Sequence, residues 1–163
     1  MRNLKFILKF VLACVLGFIL QFTLHEMGHA LFAFMTGNEV VDITFGVVSY
    51  ATINVTNLGS IPFISIGAFV FPVMICMILE FIPYVFVKML NTIILAITTI
   101  QLGINTVAIS FIDNYELLQT YDLGIFITSC DANVILLAVT GAIATIGLLI
   151  WCISKLIKVA NYA

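Results

Sequence analysis

The sequence predicts an all-α membrane protein of about four transmembrane helices, with a short β-hairpin between the first and the second. Hydrophobic residues make up 63% of the 163-residue chain and charged residues only 9%, and the mean hydropathy is +1.26. A water-soluble fold of this length could not bury so much apolar surface. We therefore expect residues 1–163 to form a single integral membrane domain embedded in the lipid bilayer.

Four apolar stretches reach the length of about 20 residues that one bilayer crossing needs. The first is followed by Gly37, which is typical of a helix C-terminus, and the second opens at Ser60 with Pro62 in its first turn. The first stretch is longer than the hydrocarbon layer is thick, so we expect it to tilt or to protrude. The predicted helices cover about residues 4–36, 61–80, 84–112 and 133–154.

The start of the chain also allows a second interpretation, a cleaved signal peptide. Residues 11–14, Val-Leu-Ala-Cys, look like a lipoprotein cleavage site. Lys9, however, leaves only four apolar residues before Cys14, whereas signal peptides usually have about 7 to 15. We therefore interpret this region as the beginning of the first membrane helix.

Two connections do not have the composition of a membrane crossing. Residues 40–57 are rich in β-branched residues and alternate between apolar and polar in their second half, which predicts a β-hairpin turning near Gly46 or Ser49. Residues 113–131 are expected to form a loop that contains one short helix. Both connections follow an odd-numbered helix, so they should lie on the same side of the membrane.

Basic residues predict the orientation of the chain, because lysine and arginine favour the cytoplasmic side. With four crossings, all lysine and arginine residues fall on the side of the two termini. The loops on the opposite side contain aspartate and glutamate but no lysine or arginine. We therefore predict that both termini are cytoplasmic. The net charge of -2 gives no indication of nucleic-acid binding. The basic residues are Arg2, Lys5, Lys9, Lys88, Lys155 and Lys158.

The main functional indication is a five-residue motif near the end of the first helix. The only two histidines of the chain occur in His25-Glu26-Met27-Gly28-His29, an H-E-x-x-H pattern. On a helix this spacing places both imidazoles on one face, one turn apart, where they can bind a single zinc ion. Glu26 projects beside them, in the arrangement that lets a glutamate take a proton from a water molecule at the metal.

A catalytic zinc needs a third protein ligand, because such sites use three protein ligands and leave one position open. Since no third histidine exists, the candidates are carboxylates or thiolates at a similar membrane depth. Asp113 ends the third predicted helix on the same side as the motif and is the favoured candidate, with Asp122 in reserve. Asp113-x-x-Glu116 is also typical of a capping box for a short helix, so a structural role for Asp113 remains open.

A second segment completes a resemblance to the site-2 proteases, which are zinc metalloproteases that cut inside the membrane. The second signature of that family is N-x-x-P-x-x-x-L-D-G. The segment from Asn105 to Asn114 has the same spacing, and it differs at Ala108, at Ile112 and at Asn114. The resemblance covers about residues 20–125. It implies that Asp113 is the third zinc ligand and that Asn105 helps to position the substrate.

The resemblance implies a zinc-dependent endopeptidase that hydrolyses membrane-embedded proteins or peptides, with Glu26 as the general base. The alternative is a zinc-binding membrane protein without hydrolytic activity, such as a zinc transporter or an inactive protease homologue. One family of zinc transporters also carries an H-E-x-x-H motif, but with more crossings and further histidines. Individual residues have simpler interpretations too: His25 and His29 as buried polar residues, and Gln101 and Asn105 as residues that form hydrogen bonds between helices.

Overall fold

The computed structural model of the protein describes residues 2–44, 50–112, 114–130 and 133–160, and within these ranges it confirms the predicted fold class. Four helices are long and apolar enough to cross a membrane, and a two-stranded antiparallel hairpin lies between the first and the second. The chain is thus a multi-pass membrane protein. In chain order its elements are α1 (Arg2–Met35), β1 (Glu39–Thr44), β2 (Tyr50–Asn54), α2 (Ile61–Leu79), α3 (Val85–Phe111), α4 (Tyr115–Leu118), α5 (Asp122–Cys130) and α6 (Val134–Ala160).

Three details extend the sequence-based expectation. The connection between α3 and α6 contains two short helices, α4 and α5, where the sequence predicted one. Helix α6 continues past residue 154 to Ala160, and in this last part Lys155 is buried and pairs with Glu80 at the end of α2. The turn expected near Gly46 or Ser49 falls in residues 45–49, outside the described residues.

The hairpin is fastened to the helices through the residues that follow α1. Gly37 ends α1 in the left-handed conformation, with a φ of 78°, which glycine adopts at no steric cost. The Asn38 side chain then donates a hydrogen bond to Ser60 Oγ at 2.7 Å and accepts the backbone N–H groups of Thr56 at 3.0 Å and Asn57 at 3.1 Å. Both ends of the hairpin are therefore held at the junction of α1 and α2.

Helices α1 and α2 pack with their backbones in direct contact. A Cβ atom at Gly67 of α2 would lie 2.6 Å from the carbonyl oxygen of Gly28 and 2.9 Å from the Phe32 ring. Only a residue without a side chain allows this approach, as in other close helix pairs in membranes. Because Gly28 belongs to the H-E-x-x-H motif, the close packing brings the backbone of α2 up to the histidines.

The opposite end of the bundle holds a buried polar cluster that joins α2, α3 and α6. Lys155 pairs with Glu80, and its Nζ lies 4.9 Å from the centre of the Trp151 ring. Asn91 Nδ2 donates to the Cys76 carbonyl oxygen at 3.0 Å. In contrast, the most apolar windows of α1 and α6 leave most of their residues uncovered by protein. These uncovered faces suit contact with lipid.

Candidate metal centre

His25 and His29 lie on one face of α1, as the motif predicts. Their ring centroids are 5.1 Å apart and their planes are nearly perpendicular, at 89°. His25 precedes Met35, the last residue of α1, by ten positions, which is about 15 Å along a helix axis. The pair is therefore set well below the end of a membrane-spanning helix.

Asp122 brings the third donor group to this pair. Its Oδ2 atom lies 3.2 Å from His25 Nε2, and its Oδ1 atom lies 3.2 Å from His29 Nε2. One donor atom from each of the three side chains can be chosen so that all lie within 4.8 Å of one another, and no second group of this kind occurs in the described part of the chain. Zinc bonds of about 2.0–2.1 Å in a tetrahedron hold neighbouring donor atoms about 3.3 Å apart. The two histidine–aspartate distances, each to a different oxygen of Asp122, are close to this value.

The sequence favoured Asp113 as the third ligand, and Asp113 lies outside the described residues. The carboxylate that the structure places against both imidazoles is the reserve candidate, Asp122. Helix α5 makes this possible because it packs against α2 and α3 and carries Asp122 at its first position. The chain can turn tightly into α5 because Gly124 lies against the Leu118 carbonyl, where a Cβ atom would not fit.

The electrostatic environment keeps Asp122 charged. Burial alone would raise the pKa of this carboxyl group, but the hydrogen bonds and positive charge offered by His25 and His29 outweigh burial and hold its pKa below the ordinary value. Asp122 is therefore an anion at neutral pH. A buried anion beside two imidazole nitrogens is a suitable environment for a cation.

A backbone carbonyl fixes the orientation of the His29 ring. His29 Nδ1 lies 2.8 Å from the carbonyl oxygen of Ile64 on α2. A carbonyl only accepts hydrogen bonds, so His29 donates from Nδ1 and, in its neutral form, keeps the lone pair on Nε2. Histidines that bind a metal commonly donate a hydrogen bond from the ring nitrogen that does not bind the metal, which fixes the orientation of the ring. The Nε2 atom faces Asp122, where a shared metal ion would lie.

Glu26 lies on the same helix but does not belong to the three-residue donor group. Its Oε2 atom accepts a hydrogen bond from the backbone N–H of Ala51 at 2.9 Å. Ala51 is in β2, so the hairpin reaches over the end of α1 and touches the motif directly. This contact holds the carboxylate of Glu26 beside the site.

Asn105 has a role in the structure that the sequence offered only as the simpler alternative. Its Nδ2 atom donates to the carbonyl oxygen of Gln101 at 3.0 Å, and its Oδ1 atom accepts the backbone N–H of Leu123 at 3.2 Å. Leu123 directly follows Asp122, so Asn105 anchors the start of α5. Gln101 likewise bonds between helices, accepting from Gln21 Nε2 at 2.7 Å. Positioning of substrate by Asn105 stays a prediction.

Several contacts at the site could not be read from the sequence. The Ile64 carbonyl and the Ala51 N–H are backbone groups, which leave no signal in side-chain patterns. The Phe69 ring packs edge-on against His25, with centroids 5.9 Å apart. Gln21, fully buried, lies one helical turn before His25; a polar residue at this position in an apolar helix was the one available signal.

An apolar groove of about 550 Å³ borders the site between α2 and α6. Its inner wall includes Phe69, which touches His25, and Leu123, which follows Asp122. Val70 and Met74, also in its lining, are exposed on the outside of the bundle. The groove therefore extends from the lipid-facing surface to the neighbourhood of the histidines.

Comparison with known proteins finds no family model, no curated protein and no solved structure that matches this chain. The functional interpretation accordingly rests on the geometry of the site and on the motifs of the sequence.

Proposed function

We propose that the protein is a zinc-dependent intramembrane endopeptidase. One observation carries the proposal: two imidazoles and a carboxylate converge inside a membrane helix bundle, while the glutamate of the same motif stays beside them without joining the donor group. The resemblance of the two sequence motifs to the site-2 proteases supports it. The third ligand in this proposal is Asp122 rather than Asp113.

The donor set fits zinc. Two histidines and one carboxylate form a common set in catalytic zinc sites, which keep a fourth position open for water or substrate. His25 Nε2 and His29 Nε2 each lie at the separation from an Asp122 oxygen that a tetrahedral ion requires. Calcium and magnesium prefer sites built from oxygen atoms, so two imidazole nitrogens disfavour them.

Peptide hydrolysis needs an activated water molecule and a group that moves protons. Zinc, when bound, would lower the pKa of a water molecule at the site and polarise a carbonyl group. Glu26 accepts the proton of the attacking water, and the same carboxyl group then donates it to the leaving amide nitrogen. The hydrogen bond from Ala51 keeps the Glu26 carboxylate in position between these two steps.

Strand β2 offers a means of holding the substrate. A membrane helix conceals its carbonyl groups in internal hydrogen bonds, so a substrate must be extended before it is cut. Ala51 pairs with Ile43 of β1, yet its N–H is directed at Glu26; the unpaired edge of β2 therefore faces the site. An extended substrate segment adding to this edge, by β-augmentation, would lie beside Glu26. The apolar groove between α2 and α6 gives such a substrate a path from the lipid.

The proposed orientation places both termini in the cytoplasm. In the structure the N-terminus of α1, the N-terminus of α3 and the C-terminus of α6 carry the basic residues, while the hairpin, α4 and α5 lie at the other ends of these helices. The distribution agrees with the preference of lysine and arginine for the cytoplasmic side. The metal centre would then be nearer to the non-cytoplasmic surface.

The test of the proposal is the Glu26→Gln variant. An amide has nearly the shape of a carboxylate but does not take the proton, so zinc content and fold should be unchanged while cleavage falls by about 10²- to 10⁴-fold. The measurement is cleavage of a single-span membrane substrate in liposomes, with zinc determined in the same samples. Glu116→Gln, an exposed glutamate on α4, is the matched control and should retain full activity.

The same experiment separates the enzyme from its rival. A zinc transporter or a binding protein would keep most of its function in Glu26→Gln as long as zinc stayed bound. Undiminished cleavage by Glu26→Gln, or no cleavage by the native zinc-loaded protein across a broad panel of membrane helices, would favour the non-hydrolytic alternative.

A further inference from the structure

Two buried polar atoms without a hydrogen-bond partner belong to side chains that start one helical turn apart on α1. They are Nδ1 of His25 and Oε1 of Gln21. The Gln21 side chain is 0% exposed, and residues four apart are neighbours on a helix face. A buried polar group that stays unpaired destabilises the fold, because it has lost its hydrogen bonds to water. A donor and an acceptor that satisfy each other would remove both costs at once.

If His25 binds metal through Nε2, its Nδ1 atom must be the hydrogen-bond donor. His25 directs Nε2 towards Asp122 Oδ2, at 3.2 Å. A neutral imidazole carries its proton on one nitrogen and its lone pair on the other, so Nε2 is free for a metal only if the proton is on Nδ1. His29 has the Ile64 carbonyl as the acceptor for that proton. His25 requires an acceptor of its own.

Gln21 is held so that it offers an oxygen. Its Nε2 atom donates to Gln101 Oε1 on α3 at 2.7 Å, which occupies the amide nitrogen and leaves Oε1 as the free end. The reverse orientation would present an N–H group to His25, and His25 Nδ1 would then have to accept. That tautomer has its proton on Nε2 and so cannot bind metal through Nε2, the nitrogen that faces Asp122.

We propose that Gln21 is the positioning residue for His25: its Oε1 atom accepts the Nδ1 proton, directly or through one water molecule, and so selects the tautomer that binds metal. The inference rests on the proposed zinc site. Helix α3 then supports two of the three ligands, because Gln101 orients Gln21 and Asn105 anchors the start of α5 next to Asp122.

Nuclear magnetic resonance can read this hydrogen bond directly, because the chain contains only two histidines. Protein labelled with ¹⁵N in histidine gives signals from two rings, and the contact with the Phe69 ring identifies His25. In the zinc-loaded native protein, both rings should carry a proton on Nδ1, and the signal of each Nδ1 proton should show the downfield shift of a hydrogen bond. In Gln21→Met, which has a similar length but no acceptor, the Nδ1 proton of His25 should lose this shift, while that of His29, bound to the Ile64 carbonyl, stays unchanged as an internal control.

Metal binding provides the second measurement. Loss of a partner that orients a ligand typically lowers metal affinity by about 10- to 100-fold, so Gln21→Met should bind zinc that much more weakly in competition with a chromogenic chelator. Gln21→Glu keeps an oxygen at the same place, and Gln101 can turn its amide to donate, so this variant should restore both the zinc affinity and the Nδ1 signal of His25. Asn91→Leu removes another buried amide, at the far end of α3, and should lower stability without changing zinc affinity.

Three results would overturn the role of Gln21. The first is a His25 Nδ1 proton without the downfield shift of a hydrogen bond in the native zinc-loaded protein, which needs no variant and so does not depend on whether Gln21→Met folds. The second is an unchanged Nδ1 signal and zinc affinity in Gln21→Met. The third is a Gln21→Glu variant as impaired as Gln21→Met. Failure of the native protein to bind zinc at all would instead reject the metal centre itself.

Discussion

Replacing Gly67 by alanine should weaken the proposed metal centre, although Gly67 is not one of the proposed ligands. Its new Cβ atom would lie 2.6 Å from the Gly28 carbonyl oxygen, whereas ordinary contact begins at 3.4 Å, so α1 and α2 must separate by about 0.8 Å. The bond from His29 Nδ1 to the Ile64 carbonyl oxygen is 2.8 Å long, and the same separation would lengthen it to about 3.6 Å, too long for a hydrogen bond. We expect zinc affinity to fall by about 10-fold or more.

Gly67→Ala should lower the stability of the protein, whereas a glycine-to-alanine change in the interior of an ordinary helix raises it. Alanine is favoured over glycine by about 0.8–1.0 kcal/mol in a helix interior, but overpacking costs about 1–3 kcal/mol. Gly147→Ala is the matched control, since no atom lies within 4 Å of its added Cβ. Thermal unfolding and zinc competition in detergent measure both effects. If Gly67→Ala binds zinc as tightly as Gly147→Ala does, the proposed coupling between helix packing and the His29 ring is wrong.

Two further predictions concern the ligand set and the topology. Asp122→Ala should remove most of the bound zinc, because it takes away one of the three proposed ligands. Asp113→Ala should keep about one zinc per chain, and the opposite result in metal analysis would restore Asp113 as the proposed ligand. Reporter fusions at Asn57 and Cys130 should give non-cytoplasmic signals, because all the basic residues lie at the other end of the bundle. Cytoplasmic signals from both positions would reverse the proposed orientation.

The sequence by itself determined the membrane fold and the part of the candidate site that lies on the first helix. Apolar runs of sufficient length define membrane helices because the bilayer core leaves few other ways to satisfy the backbone. His25, Glu26 and His29 were predictable for a similar reason, since spacing along one helix fixes which side chains share a face. Their arrangement needs no knowledge of how the helices pack.

Only the tertiary structure decided what meets these residues from elsewhere in the chain. Asp122 follows Asn105 by 17 positions, and it reaches the histidines because α5 packs against α2 and α3. The periodic pattern of hydrophobic residues along a helix or strand relates only residues that are close in sequence, so it does not predict this contact. The partners of the motif are also partly backbone groups, the Ile64 carbonyl and the Ala51 N–H, which every residue possesses. Long-range folding placed them beside the motif, and for that reason a sequence pattern alone did not reveal them.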